Sequence, residues 1–266
     1  MFAYVGGKFR QAKWIGSQMA HTNKYAEVFG GAMWTYINGN ISPKEVHYND
    51  YNRFMVNLFA CCREYDKFIP LLNNQEAQLN EVFNNYKDDI LHVIHNDIPI
   101  DMPDFSLGAK YIYVITQCFS GIMSENVKFI DLKGKYRSKY YSFLDRLKKP
   151  AIQRKLEKIQ THNLSFDEFI PLVDSEDMTL YLDPPYYKTE NLYAFHNFTI
   201  DHHEKLAEIL NNVKSKWVLS YYEFPEMLEW YPQDKYKWVK KEYKKASMAA
   251  KGKKQTIGEE LLVIKE

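Results

Sequence analysis

A chain of 266 residues exceeds the roughly 100–200 of an ordinary single domain, so one large domain, or one domain carrying a sizeable insertion, is expected. Hydrophobic residues at 45% and charged residues at 26% match globular usage and exclude disordered, collagen-like and low-complexity classes. The formal net charge of +1 hides two strongly basic stretches, three cysteines exclude a disulfide framework, and no apolar run approaches the roughly 20 residues that cross a bilayer.

The chain opens with Ala3-Tyr4-Val5-Gly6-Gly7-Lys8, and Ala12, Ile15 and Met19 predict a helix behind it. Two glycines let the backbone approach a ligand closely, and Lys8 supplies a charged donor. Residues 24–29 read as a strand ending in Gly30-Gly31, and residues 45–49 as a second ending at Asp50. After Asp50, the apolar residues Met55, Leu58, Phe59 and Cys62 fall at i, i+3, i+4 and i+7, the stripe of an amphipathic helix. The order so far is βαβα. Residues 65–160 break that rhythm: they carry Pro70, Pro99, Pro103 and Pro150 and no βα alternation, and they read as a mostly helical insertion into a domain made of residues 1–64 and 161–266. Residues 179–182 are a third strand, Asp201 is expected to cap a helix with the stripe Leu206, Ile209, Leu210 and Val213, and residues 217–221 follow as a strand. Such alternation implies a Rossmann-like α/β fold, a mostly parallel sheet with ligands beyond the carboxyl ends of its strands, where Gly30, Asp50 and Asp183 fall.

Asp183-Pro184-Pro185-Tyr186, directly after an apolar strand, is the most specific signal in the chain. Two prolines cannot continue a ladder and each fixes its own φ, so the Pro184 carbonyl is held beside the Asp183 carboxylate as a pair of rigid acceptors. An exocyclic amine, with two N–H donors, fits that pair, and the Tyr186 ring suits stacking on a flat heterocycle. In Glu27-Val28-Phe29-Gly30-Gly31-Ala32-Met33 the glycines form a strand-to-helix turn, and Asp50 lies 20 residues after Gly30, a distance at which an acidic residue holds ribose hydroxyls. The turn lacks the full GxGxxG pattern, which favours a nucleoside cofactor without a pyrophosphate.

Between Lys133 and Lys158, ten basic residues face only Asp145 and Glu157; between Lys235 and Lys254, nine lysines face only Glu242. Concentrated positive charge of this kind suits phosphate-backbone contact, and Tyr136, Tyr140, Tyr141 and Phe143 interleave the first stretch. Zinc chemistry is not supported: His203-Glu204 begins like a zincin helix, but Ala207 stands where the second histidine is required, and His92 and His95 lack further spaced ligands.

Taken in order, Tyr4-Val5-Gly6-Gly7-Lys8, Phe29-Gly30-Gly31, Asn49-Asp50 and Asp183-Pro184-Pro185-Tyr186-Tyr187 resemble the Dam-like D12 class of DNA adenine N6-methyltransferases over nearly the whole chain. The resemblance implies a methyl group moved from S-adenosyl-L-methionine to N6 of an adenine flipped out of double-stranded DNA, with no metal and no obligate protein partner. It implies catalytic Asp183, Pro184, Pro185 and Tyr186, and a cofactor surrounded by Tyr4, Gly7, Lys8, Phe29, Gly30, Gly31, Asp50, Ser165, Phe166 and Asp183. Residues 65–160 then read the target, and Lys133, Lys135, Arg137, Lys139, Lys251 and Lys253 are expected on DNA. A cytoplasmic setting, bacterial or phage-infected, is expected, in keeping with the lack of a basic-then-apolar leader pattern. The chain departs from GATC-specific relatives at Ser120, where those tend to carry asparagine, so the target sequence does not carry over. The rival readings are methylation of RNA adenine or of cytosine N4, the latter usually with serine in place of Asp183, or a catalytically silent DNA-binding protein on the same scaffold.

Overall fold

The computed structural model describes residues 1–4, 6–119, 121–132, 138–186, 198–244 and 257–266. Among these, seven strands form one sheet: β1 (Lys24–Glu27), β2 (Glu45–Asn49), β3 (Ile159–His162), β4 (Met178–Leu182), β5 (Lys216–Tyr221), β6 (Lys237–Lys244) and β7 (Ile257–Lys265), in the spatial order β3-β2-β1-β4-β5-β7-β6. β1 to β5 pair in parallel, whereas β7 runs antiparallel to both of its neighbours. The expected Rossmann-like α/β sheet is therefore present, with the antiparallel β7 wedged near one edge.

Why these residues form that sheet follows from their burial. All five residues of β4 are buried, as expected for a parallel strand covered on both faces. Successive side chains then alternate between two cores: Tyr25, Tyr181, Val218 and Leu262 enter one, while Ala26, Leu180, Leu182, Leu219 and Leu261 enter the other. The helices α1 (Ala12–Ser17), α2 (Trp34–Asn38), α3 (Arg53–Arg63), α4 (Tyr65–Asn73), α5 (Asn80–His95), α6 (Phe105–Thr116), α7 (Lys139–Leu147), α8 (Pro150–Leu156), α9 (Phe166–Val173), α10 (Ile200–Asn212) and α11 (Met227–Trp230) complete the described elements. α3 supplies Met55, Leu58, Phe59 and Cys62 to the first core, the stripe read from its spacing, and α9 and α10 cover the second. Residues 65–160 contain α4 to α8, and their Phe68, Ile112, Tyr140 and Phe143 join the first core.

Three local expectations are corrected. The first strand ends at Glu27, because the chain then leaves the ladder to make the glycine turn. Thr199, not Asp201, caps α10: its side chain meets the backbone of His202 in a reciprocal capping box, and Asp201 sits inside the first turn. Ile159–His162 is a short edge strand paired with β2, so the sheet resumes directly after Lys158, inside the residues expected to form the insertion. Several of its lysines are also engaged internally: Lys155 Nζ donates to the Tyr36 carbonyl at 2.7 Å, Lys158 Nζ to that of Pro43 at 3.1 Å, and Lys148 Nζ to Asn73 at 2.8 Å.

The strand order reverses between β1 and β4, since β2 and β3 extend to one side and β5 to the other. A crevice opens beyond the carboxyl ends of strands at such a switch point. Gly30 follows β1, Asp50 follows β2 and Asp183 follows β4, so the fold brings the three motifs to one end of the sheet.

Candidate active site

The glycine turn after β1 is fixed by its neighbours. Gly30 N–H donates to the Asn49 carbonyl at 2.7 Å, Gly31 N–H donates to Asp50 Oδ2 at 2.8 Å, and the Tyr48 hydroxyl donates to the Gly31 carbonyl at 2.9 Å. A Cβ on Gly30 would lie 2.2 Å from the Tyr48 ring, and Gly31 has φ +46, which favours glycine. Asn49 reaches across to both sides: its Nδ2 donates to the carbonyls of Val28 and Leu164, and its Oδ1 accepts from Leu164 N–H at 3.0 Å. That clasp sets the loop before α9, where Ser165 forms a capping box with Glu168 and leaves Phe166 at the helix start.

These pieces enclose a cavity of about 580 Å³. All ten residues expected around a cofactor line it: Tyr4, Gly7, Lys8, Phe29, Gly30, Gly31, Asp50, Ser165, Phe166 and Asp183. Phe29, Phe166 and Phe198 form an aromatic wall with ring centroids 5.7–5.9 Å apart. Asp50 lies half-buried on the wall, its Oδ1 accepting from Asn52 N–H at 2.8 Å. Sequence reasoning missed Glu27 and Tyr181. Glu27 is 2% exposed, accepts from Tyr36 N–H at 2.7 Å and from the Tyr25 hydroxyl at 2.9 Å, and burial pushes its carboxyl up to about 8. Its acidic character inside a buried strand was the available signal.

Of the tetrapeptide, Asp183 and Pro185 line the cavity and Pro184 is buried. Tyr186 instead lines a second cleft of about 480 Å³, with Tyr222, Tyr243, Arg146 and the exposed Lys139; Tyr4, Gly6, Gly7, Lys8 and Trp34 border both spaces. Lys133, Lys135, Arg137, Lys251 and Lys253 lie outside the described residues. Lys8 Nζ stands 3.1 Å from Asp183 Oδ1, 3.1 Å from Glu260 Oε1, and donates to the Tyr186 hydroxyl. Burial alone would lower the Lys8 ammonium, but Asp183 and Glu260 outweigh it and hold the group well above the usual lysine range. Burial pushes the Asp183 carboxyl up to about 6; Lys8 opposes this and Glu260 adds to it. Neither Glu260 nor Ser220, which lies against it, was expected at the site.

A family model of the D12 class N6 adenine-specific DNA methyltransferases matches residues 4–247. The chain belongs to this family. It is accordingly an enzyme that transfers a methyl group from S-adenosyl-L-methionine to N6 of adenine at a specific site in DNA, the base being swung out for reaction. This replaces the rival readings of cytosine N4 transfer and of a silent scaffold. No curated protein matches the chain. The residues present fit the D12 cofactor: the aromatic wall suits an adenine ring, Asp50 suits ribose hydroxyls, and Asp183 and Glu27 suit a cationic donor. The buried Tyr181 hydroxyl on the cavity wall has no hydrogen-bond partner among the described residues, a polar atom that a ligand would satisfy. No helix among the described residues is long and apolar enough to cross a membrane.

Proposed function

We propose that Asp183, Pro184, Pro185 and Tyr186 act on an adenine flipped from double-stranded DNA, and that the ten cavity residues hold S-adenosyl-L-methionine. The observation that carries this reading is their convergence: ten residues from five separate stretches of sequence border one cavity, and Lys8, which also borders the Tyr186 cleft, stands 3.1 Å from Asp183. Asp50 would accept from the ribose hydroxyls and Phe166 would pack on the cofactor's adenine, while Asp183 would also meet its methionine amino group.

The cofactor supplies an electrophilic methyl carbon on a sulfonium. The target base enters beside Tyr186, whose ring is held by Tyr221, stacked at 5.7 Å, and by Tyr222, edge-on at 4.3 Å. Stacking on such a platform offsets part of the few kcal/mol spent on flipping. Asp183 and the Pro184 carbonyl accept the two amino hydrogens, which draws the nitrogen lone pair out of conjugation and aims it at the methyl carbon. When bound, the cofactor would give up this methyl carbon to the nitrogen, and its sulfur would keep the electron pair of the broken bond. The nitrogen then bears a positive charge and sheds one proton, for which Asp183, raised to about 6, is a suitable transient acceptor.

On the DNA side, residues 65–160 serve as the recognition insertion, with Lys139 at the mouth of the Tyr186 cleft and Lys133, Lys135, Arg137, Lys251 and Lys253 as phosphate contacts. Phe119, 82% exposed, sits beside Gly121, whose Cβ position lies 2.5 Å from the Ala3 carbonyl, and offers an apolar surface to a base stack next to the opening motif. The enzyme works where the DNA is, in the cytoplasm of a bacterial or phage-infected cell. The test is methyl transfer by the purified protein to duplex DNA, single-stranded DNA and RNA of the same sequence. The reading requires the duplex to be the preferred acceptor, and equal or better transfer to RNA would refute it.

A further inference from the structure

β7 carries a buried carboxylate directly before its run of four buried apolar residues. Glu260, 1% exposed, precedes Leu261-Leu262-Val263-Ile264, and a charge buried there is costly unless it is paired. It is paired three ways. Its Oε1 lies 3.1 Å from Lys8 Nζ, accepts from the Tyr186 hydroxyl at 2.9 Å, and accepts from Ser220 Oγ on the adjoining β5. Lys8 is thereby suspended between two carboxylates at the same distance, Glu260 and Asp183.

Counting charge in this cluster decides what Glu260 does. With Lys8 and Asp183 alone, one ammonium would neutralise the one carboxylate that receives the target amine and would weaken it as an acceptor. With Glu260 present, two carboxylates face one ammonium and the cluster keeps one negative charge. That is the complement of the positive charge that grows on the target nitrogen as it takes the methyl group, in a water-poor site where such complementarity counts most.

We propose that Glu260 is a positioning residue for methyl transfer: it draws the Lys8 ammonium and the Tyr186 hydroxyl onto itself and so leaves Asp183 with the excess negative charge that the alkylated nitrogen requires. This rests on the reading of Asp183 as the acceptor at the target amine. The titratable and charged groups facing Asp183 are Lys8 from the opening segment, Glu27 from β1, Tyr181 from β4, Tyr186 from its own loop and Glu260 from β7. Of these, Lys8 lowers the Asp183 carboxyl and Glu260 raises it, so removing the Glu260 charge moves Asp183 down.

The experiment measures single-turnover methylation of unmethylated plasmid DNA by the full chain, at saturating S-adenosyl-L-methionine and across pH 5–9, for wild type, Glu260→Gln, Glu260→Asp and Asp183→Asn. Binding of S-adenosylhomocysteine and thermal melting are followed in parallel. Glu260→Gln should lower the plateau rate roughly ten- to a hundredfold and shift the acid limb down by about half a pH unit or more, with binding of S-adenosylhomocysteine within about threefold of wild type. Glu260→Asp, which keeps the charge, should recover part of the rate and return the limb towards wild type, and it carries the test if the glutamine variant fails to fold. An unchanged rate and limb in Glu260→Gln would overturn the proposal. So would equal losses in both Glu260 variants in step with melting temperature, since that is the signature of a packing role. Wild-type turnover by Asp183→Asn would instead overturn the reading of Asp183, and this inference with it.

Discussion

Replacing Gly30 with alanine puts the role of the glycine turn to a quantitative test. The new Cβ would stand 2.2 Å from Tyr48 Cε2 and 2.5 Å from Cδ2, where ordinary contact begins at 3.4 Å, so something must move by about 1 Å. Tyr48 is fully buried and cannot swing into solvent. Overpacking of this kind costs about 1–3 kcal/mol, and displacing the ring also breaks the Tyr48 hydroxyl bond to the Gly31 carbonyl, about 1 kcal/mol more. The sum, about 2–4 kcal/mol, corresponds to a fall of roughly 4–8 °C in melting temperature for a domain of this size. Gly31→Ala is the control. Its Cβ meets nothing closer than the Tyr4 ring at 3.5 Å, so it suffers only the strain of φ +46, about 1–2 kcal/mol. Differential scanning calorimetry and titration with S-adenosylhomocysteine should rank Gly30→Ala as the more destabilised variant, with cofactor affinity reduced in both. Wild-type melting and affinity in Gly30→Ala would refute the claim that the packing of the turn on Tyr48 shapes the cavity.

Asp50→Ala should weaken S-adenosylhomocysteine binding by about 1.5–3 kcal/mol, read by calorimetry, and should also lower the melting temperature because Gly31 N–H and Asn52 N–H lose their acceptor. Asp50→Asn, which keeps one acceptor, should fall between. An unchanged dissociation constant would reduce Asp50 to a brace for the turn. Neutralising Lys133, Lys135, Arg137 and Lys139 together should flatten the slope of log affinity for duplex DNA against log salt by about 0.9 for each DNA phosphate that is no longer neutralised, whereas Lys155→Met should lower stability and leave that slope alone, since Lys155 holds the Tyr36 carbonyl. The methylation rate should fall as pH drops through about 6, where Asp183 gains a proton and ceases to accept from the amine. A rate flat from pH 8 down to 5 would contradict that role.

How much of this was legible in the sequence depends on how local the signal is. Strands β1, β2 and β4 were readable because each run ends abruptly at glycine or aspartate, β5 from its apolar Trp217-Val218-Leu219, and α3 because its buried stripe repeats within one element. β3 was not: four residues, Ile-Gln-Thr-His, at a sheet edge carry little hydrophobic pattern and follow a run of lysines. β6 was hidden for a related reason. Its lysines suit an edge strand, with Lys237 paired to Glu266 and Lys240 to Glu223, yet in sequence they read as a basic tract. At the site, the glycine turn, Asp50 and the tetrapeptide were legible, since each sits at the end of one strand, and the opening motif because its glycines and Lys8 are adjacent in sequence. Glu260 and Ser220 escaped because their significance exists only when β5, β7 and the opening segment meet; Lys8 and Glu260 are separated by most of the chain. The Asp201 cap was misjudged because Thr199 and His202 satisfy the same backbone groups two residues earlier.

We propose that this chain methylates adenine N6 in duplex DNA through Asp183. The most direct measurement is nucleotide-resolution mapping of modified bases in DNA from cells expressing either the wild-type chain or Asp183→Ala. The wild type should leave N6-methyladenine at one recurring short sequence, and the variant should leave none. Methylation at cytosine N4, or adenine marks that persist at the same sites in Asp183→Ala, would contradict it.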